Sequence, residues 1–149
     1  MKQFDYIVVG GGLAGLYSAL RLSHYAHVAL LVKSTLQQSN SYYAQGGIAA
    51  VIEETDSSQA HYEDTIEAGR GLCLPSAVHI LTEEAPKRIQ ELIDLGMNFD
   101  QEGGRLALGL EGGHHQKPIL HAGGDATGRL MTTFMIEQVY ANPKYPYIR

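Results

Sequence analysis

Phe4–Leu22 reads "FDYIVVGGGLAGLYSALRL", and this stretch decides the fold. Its first six residues form a short, mostly apolar, β-branched run ending at glycine, as a buried parallel strand does. From Leu13 the apolar residues recur at helical intervals. Between the two, Gly10, Gly12 and Gly15 stand in the spacing G-x-G-x-x-G. At a strand-to-helix turn the first glycine permits the tight turn. The second lets backbone approach a pyrophosphate, and the third lets helix and strand pack closely. The helix start then offers unpaired N–H groups and a partial positive charge to the phosphates. Val28–Val32, "VALLV", reads as a second strand. It completes a β-α-β unit of about 30 residues, the length such units need. The expectation is an α/β, Rossmann-like fold, a parallel sheet flanked by helices. Its dinucleotide would lie along Gly10, Gly11, Gly12, Leu13, Ala14 and Gly15, a pattern that does not separate NAD from FAD.

The usual companion of that glycine pattern is missing. An Asp or Glu at the tip of the second strand, about 20 residues on, ordinarily accepts hydrogen bonds from the ribose hydroxyls. Lys33 occupies that place, and an ammonium group carries donors only. The ribose must be held in another way. Lys33 either lies near the adenosine half through its backbone and stem or is a solvated surface lysine. Asn40, Ser41, Tyr42, Tyr43, Ala44, Gln45, Gly46 and Gly47 follow, dense in short hydroxyl and amide groups. Such a run suits the edge of a planar, hydrogen-bonding ring, and on composition alone it suits a plain polar loop equally well.

Farther along, Asp56 to Gly69 has helical character, with Asp56 or Ser57 to cap it and Gly69 to end it. Pro75 opens a second helix running to Leu95, with Pro86 kinking or dividing it. "MNFDQEGGRLALGL" predicts a hairpin turning at Gly103-Gly104. Asp125 or Thr127 is placed to cap a helix over "ATGRLMTTFMIEQVY". "YPYIR" begins another extended run whose edge would be unpaired and open to self-association. A chain ending there reads as the front part of a longer protein.

The 149 residues, 44% hydrophobic, suffice for one ordinary core. Eleven basic against 16 acidic residues give a net charge of −5, and no basic block collects to suit nucleic acid or anionic lipid. No segment reaches the roughly 20 apolar residues of a spanning helix. Cys73 alone can form neither an internal disulfide nor a cysteine cage and reads as a buried apolar thiol, which suits a cytoplasmic protein. "EGGHH" at Glu111–His115, with His121 farther on, invites a metal reading. It is too glycine-rich for a helix-borne paired-His motif, and no further ligand is spaced to complete a set, so no metal is expected. His61 and His79 read as solvated or packed side chains.

Four stretches in order, "IVVGGGLAGLYSALRL", "SNSYYAQGGIAAV", "HYEDTIEAGRGLC" and "LEGGHHQKPILHAGGDATG", resemble the flavoprotein family of succinate dehydrogenase, fumarate reductase and L-aspartate oxidase, its L-aspartate oxidase branch most of all. The resemblance implies FAD as cofactor, with a Lys at the position of Lys33 and Asn40–Gly47 along the flavin. Where succinate dehydrogenases carry a flavin-linked His, this chain has Asn40, which implies noncovalent FAD. Where L-aspartate oxidases carry a Glu facing the substrate's ammonium, this chain has Glu111; read without the resemblance, it is a surface Glu on a turn. The implied activity is oxidation of L-aspartate to iminosuccinate, with oxygen or fumarate as acceptor and quinolinate synthase as the next enzyme towards NAD. The family's proton-transferring Arg, its carboxylate-gripping residues and its capping and helical domains would belong beyond Arg149. Residues 1–149 would then be the front of the FAD-binding domain, with no catalytic residue and no turnover alone. The other two readings are a soluble fumarate reductase or succinate-oxidising flavoprotein, and a nonenzymatic nucleotide-binding remnant.

Overall fold

The computed structural model describes residues 3–53, 55–142 and 144, and the backbone of 147 and 148. In chain order the elements are β1 (Tyr6–Val9), α1 (Leu13–Ser23), β2 (Val28–Leu31), α2 (Asn40–Tyr43), β3 (Ile48–Ala49), α3 (Ser58–Ala68), α4 (Pro75–Asp94), β4 (Gln101–Glu102), β5 (Arg105–Leu106), β6 (Leu108–Gly109), β7 (Ile119–Leu120), α5 (Thr127–Ala141) and β8 (Tyr147–Ile148). They gather into two compact units, one of Met1–Gln45 with Ala126–Arg149, the other of Gly46–Asp125.

The first unit holds a parallel sheet in the order β1-β2-β8. Tyr6 pairs with Val28 and Val9 with Leu31, while Ala29 pairs with Tyr147 on the other side. β2 is therefore central, and Val28, Ala29 and Leu30 are buried. α1 covers it with Leu16, Ala19 and Leu20, and α5 packs on α1. On α5 the buried residues Met131, Met135 and Val139 recur every four residues, with Ile136 beside them, the period of one helical face. Phe134, expected on that face, is only half-buried. At the far end the fully buried Ser23 hydroxyl donates to the Leu20 carbonyl at 2.7 Å and accepts from the Asn142 side-chain amide at 2.9 Å, tying α1 to the end of α5.

The expected burial of β1 fails as well. β1 is a sheet edge, so its apolar run is not buried: Ile7 is 63% and Val9 79% exposed. The helix expected over Leu13–Leu22 and the strand expected over Val28–Val32 stand within one residue of their predicted ends.

The second unit is built around α3, α4 and a small antiparallel sheet ordered β3-β7-β6. Ser57 caps α3, its hydroxyl accepting the Ala60 N–H at 3.1 Å, and Gly69 ends the helix as expected. α4 starts with Pro75 in its first turn and runs unbroken past Pro86. Pro86 does not divide it, because Val78 and Thr82 before the proline and Ile89 and Leu92 after it are all buried. The predicted hairpin is β4–β5, with Gly103 and Gly104 at its turn. β7 is wholly buried and pairs with β3 (Ile48↔Leu120) and β6 (Gly109↔Ile119). Neither Asp125 nor Thr127 caps α5: its N-cap position is Ala126, with no side-chain cap bond, entered from a tight turn over Gly124–Ala126. Cys73 is half-buried rather than buried, its thiol 3.6 Å from the Thr65 carbonyl.

Candidate functional site

In the first unit the glycine turn and the Asn40–Gln45 segment meet at the start of α1. Gly10 turns the chain out of β1 with φ +113°, a conformation an L side chain rarely adopts. Gly12 is the extended N-cap of α1, and the first intrahelical bond runs from Leu16 N–H to its carbonyl at 3.0 Å. The Leu13 N–H donates instead to the Ser41 hydroxyl at 3.0 Å. The N–H groups of Ala14 and Gly15 are left without an acceptor inside the helix. The first turn of α1 carries no acidic residue to compete for them. Gly15 lies so close to the turn that an added Cβ would stand 3.0 Å from the Gly10 carbonyl carbon and nearer still to its oxygen.

Ser41 belongs to a single helical turn, α2, that sequence patterning reads as irregular. Ser39 makes it, its hydroxyl accepting the Tyr42 N–H at 3.2 Å. Asn40, Tyr43, Ala44 and Gln45 are exposed, and the Tyr42 and Tyr43 rings meet edge to face at 5.4 Å. α2 rests on α5 at Gly128, whose N–H donates to the Ala44 carbonyl at 3.2 Å. A Cβ at Gly128 would lie 2.5 Å from that oxygen and 2.8 Å from the Ala44 Cβ. Gly128 thus lets α2 lie close on α5, and its sequence signal is the glycine in "DATGR". Lys33 lies exposed just past β2.

In the second unit Gly46, Gly47, Glu111 and His121 come together. The Glu111 carboxylate, 49% exposed, accepts from the His121 ring at 3.1 Å and stands 3.6 Å from where a Gly46 side chain would begin. Gly46 has φ +75°. A Cβ at Gly47 would lie 2.5 Å from the Leu120 carbonyl oxygen, so this backbone is pressed onto β7. Asp100 fixes the segment after His121, its two oxygens accepting the Gly123 and Gly124 N–H groups at 2.8 and 2.9 Å. Those backbone donors, Gly124 first, hold its carboxyl below the ordinary range.

The histidines of the "EGGHH" loop face elsewhere. His115 donates to the buried Asp64 from both its ring and its backbone N–H, the latter at 2.8 Å. Burial alone would push the Asp64 carboxyl up, but the His115 ring and backbone bonds and the nearby imidazoles outweigh it and hold it low. The same contact raises His115 above its ordinary value. His61 is buried against His114, ring to ring at 5.3 Å, and burial first and His114 second lower its pKa. His79 is exposed beside the Tyr62 ring. Among the described residues no group of three His, Cys, Asp or Glu side chains is arranged to hold a metal. No described helix is long and apolar enough to cross a membrane.

Set against known proteins, residues 5–147 match the profile of the FAD binding domain family. The chain belongs to that family. This FAD binding domain is 50% identical over 142 residues to the L-aspartate oxidase of Synechocystis sp., covering 95% of this chain and 26% of the relative. It is 49% identical over 148 residues to the L-aspartate oxidase of Nostoc sp., covering 99% and 25%. The chain thus spans about a quarter of the length of the curated relatives it matches. Among solved structures it superposes on the quinol fumarate reductase of E. coli with a TM-score of 0.88 at 27% identity, covering 99% of this chain and 25% of that one. On Sdh1 of Mycobacterium smegmatis the TM-score is 0.84 at 30% identity, with 91% and 23% covered. The choice between NAD and FAD that the glycine spacing leaves open falls to FAD.

The first unit fits that group. A glycine turn, a helix N-terminus with amides to spare and no carboxylate in its first turn make a site for a pyrophosphate.

Proposed function

We propose that this FAD binding domain is the cofactor-holding part of an enzyme that oxidises L-aspartate to iminosuccinate. Residues 1–149 would be the front of its FAD-binding domain, with the carboxylate-gripping and proton-transferring groups outside them. Bound FAD supplies the two-electron acceptor, and this chain's residues do the holding. Gly10, Gly11, Gly12, Leu13, Ala14 and Gly15 present backbone to the pyrophosphate. Lys33 flanks the adenosine half. Asn40, Ser41, Tyr42, Tyr43, Ala44, Gln45, Gly46 and Gly47 run along the ring system, and the Asn40 amide forms no covalent link.

The observation that carries the choice of substrate is the Glu111 carboxylate, half in solvent and facing backbone that bears no side chain. Oxidising an α-amine to an imine removes a hydride from carbon and a proton from nitrogen. A carboxylate beside the amine favours the cationic ground state and selects aspartate over succinate, which offers nothing to pair with it. The 49–50% identity to L-aspartate oxidases is in keeping with that choice. The electron acceptor would be oxygen or fumarate. The product, an imine of a dicarboxylic acid, would pass to quinolinate synthase in the cytoplasm.

Anaerobic mixing of the full-length FAD-loaded enzyme, of which this chain would be the front part, with each dicarboxylate tests this. Aspartate is expected to bleach the flavin and succinate is not, and Glu111→Gln should cut the aspartate rate constant kcat/KM by roughly 10- to 100-fold. Equal reduction by succinate, with a ratio that Glu111→Gln leaves alone, would favour the second reading, a succinate- or fumarate-acting flavoprotein. The likeness to the E. coli fumarate reductase supports that alternative.

A further inference from the structure

We infer that His121 is a positioning residue for Glu111, taking one carboxylate oxygen and leaving the other to the substrate's ammonium. The inference rests on the reading of Glu111 just given.

Glu111 and His121 are anchored very differently. Glu111 stands in a stretch without regular structure between β6 and β7, and its side chain is half in solvent. Holding a Glu side chain in one rotamer there costs conformational entropy. His121 follows directly on the buried strand β7, and its carbonyl accepts the Asp100 N–H at 2.8 Å. Its ring, 24% exposed, is flanked by glycine on two sides. A Cβ at Gly47 would come within 3.0 Å of Nε2, and one at Gly109 within 3.0 Å of Cε1. Any other residue at either place would press on the imidazole. The ring is thus a fixed arm, and its Nε2 meets Glu111 Oε1 at 3.1 Å.

The bond has a direction. Oε1 of a carboxylate can only accept, so Nε2 carries the proton. An imidazole donating in this way orients Glu111 through one oxygen only. Oε2 keeps its lone pairs for a cation beside Gly46. In the sequence His121 stands out only as a metal candidate beside Glu111, because its bonding partner lies ten residues back, across a loop with no periodicity to predict its path.

The test uses the full-length FAD-loaded enzyme with His121→Leu and His121→Gln, each made alone and together with Glu111→Gln. Affinity for FAD, KM and kcat for aspartate, and the ring tautomer by two-bond ¹H–¹⁵N NMR are measured. His121→Leu should raise KM for aspartate about 10-fold while FAD affinity stays within about twofold. His121→Gln, which keeps a donor, should recover most of the loss. In the Glu111→Gln background His121→Leu should add nothing, and the wild-type ring should be protonated on Nε2. An equal effect of His121→Leu in both backgrounds, no effect on KM, or a ring protonated on Nδ1 would overturn the inference. If His121→Leu loses FAD, the glutamine variant and the tautomer decide it. If Glu111→Gln itself leaves aspartate unaffected, the reading of Glu111 falls first. If Glu111→Gln matters and His121→Leu does not, only the present inference falls.

Discussion

Gly15→Ala sets two physical effects against each other. Gly15 is the third residue of α1, where alanine should stabilise a helix over glycine by about 0.8–1.0 kcal/mol. Against this, the new methyl carbon would stand 3.0 Å from the Gly10 carbonyl carbon and inside the contact distance of its oxygen. The obstacle is backbone at the end of β1, which cannot rotate aside as a side chain can. Relief requires moving α1 away from the strand or flattening the Gly10 turn. Overpacking of this kind costs about 1–3 kcal/mol, and against backbone the upper end applies. The net expectation is a loss of about 2 kcal/mol, or roughly 4–8 °C in Tm for a chain of this size.

The cofactor should suffer more than the fold, because the displaced turn carries the free amides. Losing one charge-assisted hydrogen bond costs about 1.5–3 kcal/mol, so FAD should bind roughly 10- to 100-fold more weakly. Two neighbours serve as controls. Gly12→Ala meets the Ser41 hydroxyl at 3.0 Å and otherwise only ordinary contacts near 4 Å, and should be milder. Gly10→Ala meets no atom within 4 Å and pays only for its φ of +113°, about 1–2 kcal/mol. Thermal unfolding and FAD titration of the three variants rank them. A Gly15→Ala protein with unchanged Tm and FAD affinity, or one stabilised as propensity alone would have it, refutes the steric reading.

Gly128→Ala should weaken FAD by about 10-fold without touching it, since the methyl would drive α2 off α5 and take Ser41 from the Leu13 N–H; FAD titration reads it. Asp100→Asn leaves one of two glycine N–H groups facing an amide and should cost roughly 1 kcal/mol, or about 2–4 °C in Tm. Because the Asp100 carboxyl is held below its ordinary 3.8, its contribution is present above that pH and lost as pH falls through the lowered value. The melting-temperature gap to Asp100→Asn should therefore close in strong acid. His115 is raised above 6.5 by Asp64, so its contribution is full below 6.5 and lost as pH rises through the raised value. The stability difference between the wild-type protein and His115→Ala should be larger at pH 5.5 than at pH 8.5, in paired thermal melts at the two pH values.

What could be read in advance is local in the chain. β1, α1 and β2 announce themselves because apolar periodicity switches from strand to helix to strand within Phe4–Val32. α3 was bounded by its own Ser57 and Gly69, and the β4–β5 hairpin by Gly103-Gly104. What stayed hidden depends on distant partners. α2 has no apolar stripe and exists because Ser39 caps one turn and Gly128 lets α5 come close. β6 and β7 are two residues each and become strands only through pairing with β3 and with one another. The Asp64–His115 contact joins residues 51 apart, and no spacing rule reaches so far. The exposure of β1 is a matter of sheet order, because the same "YIVV" would be buried at the position of β2. Glu111 shows the converse. It is singled out by the family resemblance, while its bond to His121 emerges only in the fold.

The most direct measurement is equilibrium titration of the purified protein with FAD, followed by acid denaturation. The account predicts equimolar uptake, weakened by Gly15→Ala, with all the flavin released into the supernatant on denaturation. A protein that takes up no FAD, or one whose flavin stays with the precipitated chain, would contradict it.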